Sequence, residues 1–138
     1  MHPILRNILA VIAGILGGGI INMGIIMLGS IIVPAPAGTD TSTPEGLQAA
    51  MPLFEFKHFV MPFLAHASGT FAGACLAVLI AVKRKMVFAM IIGIYFLAAG
   101  AYMVSILPSP LWFNITDLTL AYLPSAYLAG IWLSRKSD

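Results

Sequence analysis

The chain has 138 residues, 60% of them hydrophobic and 9% charged, with a mean hydropathy of +1.00 and a formal net charge of +2. A soluble domain of this size cannot hide so much apolar surface, and so weak a charge gives no case for nucleic acid. The apolar runs are continuous and lack period-two alternation, which excludes a β-barrel and leaves helices that satisfy their own backbone amides in lipid.

The first run, Leu5–Val33, starts behind a single cation, Arg6. Its positive start and the Ala35-Pro36-Ala37 triplet imitate a signal peptide. A signal h-region, however, takes about 7–15 apolar residues, and this run is far longer, so a retained span is expected. At 1.5 Å per residue it reaches about 43 Å, against about 30 Å of hydrocarbon, so it must tilt, bend or project. Gly14, Gly17, Gly18, Gly19 and Gly24 permit close helix approach, and Asn22 is its one polar group at membrane depth.

The loop Pro34–Phe56 is the extended polar stretch. Within it, Thr43-Pro44-Glu45 combines an N-cap, a first-turn proline and an acid favoured by the helix dipole, which predicts a short interfacial helix over Pro44–Met51.

The second run, Lys57–Val82, opens on the aromatic and charged collar Phe54–Phe59. His58 and His66 are eight residues apart and share a face with Pro62, Gly69 and Gly73. His66 lies about 13 Å below Lys57, close to the bilayer centre. It reads either as a proton-accepting or ligand-binding group or as interhelical glue, hydrogen-bonded to Asn22 or a backbone carbonyl. Cys75 is the single cysteine, so no Cys-x-x-Cys pair exists, which sets aside quinone-linked disulfide oxidoreductases.

The third run, Met86–Leu107, is stopped by Pro108-Ser109-Pro110, a turn too short for anything but an antiparallel neighbour. The fourth, Trp112–Leu133, carries an interfacial tryptophan at either end, Trp112 and Trp132, about 30 Å of helix apart. Pro124 is expected to kink it. Asn114 and Asp117 share one face, and Asp117 is the carboxylate within a span. Its depth matches Lys57 and His58, so an outer cluster of Lys57, His58, Asn114 and Asp117 is expected, acting as a ligand site or as a helix staple.

Six of the seven basic residues fall on one side: Arg6, Lys83, Arg84, Lys85, Arg135 and Lys136. Asp40, Glu45, Glu55 and Lys57 lie on the other. The positive-inside rule then puts both termini and the Lys83–Lys85 turn in the cytoplasm. The expected fold is all-α, a single four-transmembrane-helix bundle over residues 1–138.

Several chemistries find no support. Zinc needs three or four converging ligands, and His58 and His66 are about 12 Å apart along one helix. The same separation argues against bis-histidine haem. No Gly-x-Ser-x-Gly motif or phosphate loop occurs. Neither a metal nor another cofactor is expected.

The stretches Lys57–His66 with Gly69-Thr70, and Leu107–Asn114 with Asp117-Leu118, resemble an uncharacterised family of short four-helix bacterial inner-membrane proteins. That resemblance implies fold and location and assigns no activity. Small multidrug exporters resemble the chain in length but need a carboxylate in their first span, which Leu5–Val33 lacks. Membrane glutathione-dependent enzymes carry arginine and glutamate inside the bundle, also lacking here. The leading expectation is a multi-pass inner-membrane protein without an evident catalytic site, acting as an accessory subunit of a membrane complex or as a homo-oligomer. Its partners are then the bilayer and a membrane protein or a second copy. The alternatives are a small transporter or channel with a path past His66, and an outer-leaflet lipid- or quinone-acting enzyme.

Overall fold

Glycine-lined contact between two antiparallel helices organises the fold. In the computed structural model, which describes residues 2–134, helix α1 covers Pro3–Ile32 and helix α3 covers Phe56–Ile80. Gly14 of α1 faces Gly73, Gly18 faces Gly69, and Gly29 faces Met61. A Cβ added at Gly14, Gly18, Gly69 or Gly73 would come closer than 3.0 Å to a carbonyl oxygen of the opposite helix. Only hydrogen fits there, so the two backbones meet at van der Waals distance. Arg6 Nε donates to the Ile80 carbonyl at 2.6 Å, and Val82 N donates to Asn7 Oδ1 at 3.1 Å. The start of α1 thus supplies one donor and one acceptor at the C-terminal end of α3, with a cation where the helix dipole favours one.

The loop between them carries the expected short helix. Helix α2, Pro44–Ala50, has Thr43 Oγ1 accepting from Gly46 N at 3.0 Å, and a single 3-10 turn, Met51–Leu53, continues it. Gln48 Nε2 donates to the Ile106 carbonyl at 2.9 Å, fastening this segment over the end of helix α4, Lys85–Ile106. Below it, Met51, Phe59 and Phe113 form a small buried cluster.

The third and fourth runs differ. Helix α4 is continuous, and Arg84 before it takes a left-handed conformation at φ 51° in the α3–α4 turn. The fourth run is broken into α5, Leu111–Leu120, and α6, Leu123–Ser134. Pro124 is the cause. It has no N–H for the Leu120 carbonyl, and its ring would press on that carbonyl in a continuous helix. The expected kink is therefore a full interruption at Ala121–Tyr122. Pro62, by contrast, sits inside α3 without ending it.

Ala74, Ala77 and Val78 of α3, Ala89 and Ile92 of α4, and Ala126 and Ala129 of α6 are fully buried together. This small-residue core fills the end of the bundle that carries Arg6 and Lys83–Lys85, the basic end. The Pro34–Glu55 loop and the Leu107–Pro110 turn form the opposite loop end. Three helices, α1, α3 and α4, are long and apolar enough to cross a membrane, and many of their large side chains face outward, Ile20 and Ile31 more than 70% exposed. A helical bundle with such a surface is a membrane protein. Arg135, Lys136 and the Ser137-Asp138 tail lie outside the described residues.

Candidate functional site: a cavity floored by His66, Asp117 and Tyr122

The glycine contact ends where a cavity begins. One turn above Gly18, α1 carries Asn22, whose Cβ abuts the Gly69 position; one turn above Gly69, α3 carries His66. Side chains reappear on both helices and the backbones no longer touch through hydrogen alone. The space they leave, together with α4 and α5, has a volume of about 360 Å³. That falls within the range of small-molecule sites, about 300–1,000 Å³.

Asp117 sits at the bottom, 3% exposed. His66 Nδ1 lies 2.8 Å from Oδ1 and 2.9 Å from Oδ2, and Tyr122 Oη donates to Oδ2 at 2.8 Å. A carboxylate only accepts, so Nδ1 carries the hydrogen and donates it to Asp117. In the neutral imidazole that leaves Nε2 as the ring's acceptor, with no hydrogen-bond partner among the described residues. The His66 and Tyr122 rings stack at 5.6 Å and 25°. Burying the carboxylate is thereby offset by two charge-assisted hydrogen bonds.

Tyr122 is the residue that sequence reasoning missed. In an unbroken helix residues five apart point about 140° away from each other. The interruption before Pro124 removes that constraint and turns Tyr122 back onto Asp117. Gly100 of α4 makes the room, since a Cβ there would strike the Tyr122 hydroxyl.

The expected outer cluster does not assemble. Lys57 Nζ pairs with Glu55 Oε2 at 3.1 Å in solvent, outside the cavity. His58, 8% exposed, is a staple: Glu55 N donates to its Nδ1 at 2.9 Å, and its Nε2 donates to the Pro34 carbonyl at 3.2 Å. Phe54 stacks on it at 5.0 Å. Asn114 closes the inter-helix turn, accepting from Ser109 Oγ at 2.6 Å and donating to the Ser109 carbonyl at 3.3 Å. His58 and Asn114 do reach the cavity wall, but with their polar groups already engaged. Asp117 is instead joined to His66, the pairing that depth alone did not suggest. Asn22 differs from all of these. The residue lines the cavity, and its Oδ1 is buried with no hydrogen-bond partner among the described residues.

The walls are apolar and aromatic, with Phe54, Phe59, Phe96 and Phe113 among them. Met51, Phe59, Phe113, Asp117 and Tyr122 are buried, whereas Tyr95, Ala99 and Met103 of α4 are exposed. Met51 of the 3-10 turn and Phe54 cap the top, the small-residue core closes the bottom, and α3 and α5 form the back. The opening is therefore lateral, between Asn22 and Ile26 of α1 and the exposed face of α4. No three His, Cys, Asp or Glu side chains converge as metal ligands among the described residues.

Comparison with protein-family models, curated proteins and solved structures found no match.

Proposed function

We propose that this chain is a four-span bacterial inner-membrane protein that takes one lipid-soluble molecule from the bilayer into the cavity between α1 and α4. In this reading α5 and α6 together make the fourth crossing, broken at the level of the cavity floor. Both termini and Lys83–Lys85 face the cytoplasm, because Arg6 and that turn share one end while Asp40, Glu45 and Glu55 share the other.

The observation that carries the proposal is the shape of the cavity: capped, floored with polar groups, and open sideways where lipid would lie. A site for a water-soluble solute would open toward the loops. Asn22 has a buried oxygen with no partner among the described residues, and the partly exposed His66 ring keeps Nε2 unengaged among them at the inner end of the cavity. The packed core beneath supports a one-ended binding site over a conducting path past His66.

The test is native mass spectrometry of protein extracted in mild detergent, wild type against Ala99→Trp, which fills the opening without touching the floor. A stoichiometric lipid-soluble adduct on the wild type that the variant lacks is expected. Equal spectra from the two proteins would defeat the proposal.

A second reading has its own observation. A Cβ at Gly19 or Gly24 of α1 would meet nothing within 4 Å, so small residues also lie on the side of α1 facing away from the bundle. That pattern suits an accessory subunit or a homo-oligomer packing another helix against α1. Ligand binding and such an assembly are compatible.

A further inference from the structure

We infer that the molecule held in this cavity is a neutral amphiphile whose flat ring bears hydroxyl groups, of the quinol class, with His66 Nε2 accepting a ring hydroxyl's hydrogen beside Asn22. The inference rests on the proposed binding of a lipid-soluble molecule and narrows it to one chemistry.

The floor selects by charge first. Among the described residues no lysine or arginine lines it: Lys57 is outside, paired with Glu55, and Arg6 reaches the Ile80 carbonyl at the basic end. A phosphate head would approach a buried carboxylate with nothing to neutralise it. A cationic head is equally unsuited. Both Asp117 oxygens already accept from His66 or Tyr122, and the residue is 3% exposed, so a cationic head would have to displace those donors to pair with it. The head must be neutral.

Hydrogen-bond polarity selects next. Asp117 fixes the His66 hydrogen on Nδ1, so the neutral ring offers the cavity an acceptor at Nε2. Asn22 lines the same space, and a side-chain amide can both donate and accept. A hydroxyl satisfies Nε2; a carbonyl in the same place has no hydrogen to give. Shape selects last. Phe54, Phe59, Phe96 and Phe113 wall the space, and the His66–Tyr122 stack presents a flat aromatic surface at its base. Planar rings stack on such surfaces, whereas a glycerol head gains little there. The lateral opening leaves room for the tail to remain in the bilayer.

Calorimetric titration of the full chain in detergent under anaerobic conditions tests this. The probes are a decyl-benzoquinol, the matching decyl-benzoquinone, dioleoylglycerol, dioleoyl phosphatidic acid and tetraphenylphosphonium. The quinol is expected to bind about tenfold more tightly than the quinone, the effect of losing one hydrogen bond to His66 Nε2. It is also expected to outbind the other three probes and to be lost in Ala99→Trp. His66→Leu should bring quinol affinity down to the quinone level, and Asn22→Leu should weaken it where the histidine variant fails to fold. Equal or tighter quinone binding overturns the acceptor role of His66. Ala99→Trp-sensitive binding of diacylglycerol, phosphatidic acid or the phosphonium in preference to the quinol overturns the ligand class and leaves the lipid-soluble site standing. A chain that binds none of the five, and carries no adduct from the membrane, overturns both.

Discussion

Asp117 is held by two donors from different directions, and its neighbours should respond unequally to substitution. Asp117→Asn forfeits charge-assisted hydrogen bonds in a buried place and is expected to lower stability by about 1–3 kcal/mol, read from unfolding in mixed detergent micelles. Tyr122→Phe removes one hydrogen bond and should cost about 0.5–1.5 kcal/mol. Gly100→Ala should act like Tyr122→Phe, since the added methyl displaces the same hydroxyl, and the two together should cost little more than either alone. Lys57→Ala should be near neutral, because its pair with Glu55 lies in solvent. At this scale the sequence marks His66, Asp117 and Asn22 as polar groups in lipid, and all three line one cavity. It also ranks Lys57 and His58 with them on depth, and there it misleads. Depth along a helix says nothing of which way the helix turns, and the capping geometry at Glu55 engages His58 before Asp117 can.

At the scale of elements, the four apolar runs and the loop helix are legible because their causes are local: uninterrupted hydropathy, Thr43-Pro44-Glu45, and the Pro108–Pro110 stop. The helices α1, α3 and α4 begin and end within two residues of the expected bounds. The break in the fourth run is only half legible. Pro124 announces a distortion, but whether a helix bends or parts depends on what its neighbours can hold, and here Asp117 and Gly100 hold Tyr122 in place. Pro124→Ala is expected to let α5 and α6 join and to carry Tyr122 off Asp117. In a double-mutant cycle with Tyr122→Phe, the coupling should then be large, with the pair no worse than Pro124→Ala alone. The α1–α3 contact has the opposite character. Gly18→Leu puts a branched side chain against the Gly69 carbonyl and Phe96, and should separate α1 from α3 or lower stability by more than about 3 kcal/mol, measured by the same unfolding assay.

For the whole molecule, sequence alone points to a membrane protein and a helical bundle, and the outward apolar faces of α1, α3 and α4 agree. The cavity was not legible. It arises where the glycine contact between α1 and α3 stops and α4 and α5 fail to fill the gap, and no single segment encodes that. Sidedness is the molecular property most open to experiment. In a Cys75→Ala background, a cysteine at Ser42 should react with an impermeant maleimide in intact cells, and one at Arg84 only after lysis; the reverse pattern would invert the proposed topology. The most direct measurement of the central claim is photo-crosslinking in native membranes, with benzoylphenylalanine placed at Tyr95 on the exposed side of the cavity, where it replaces one aromatic ring with another, or at Ala98, also exposed but not lining the cavity. A single lipid-soluble adduct at Tyr95, absent at Ala98 and diminished by Asp117→Asn, is the predicted result. The same mixture of bulk phospholipid at both positions would contradict it.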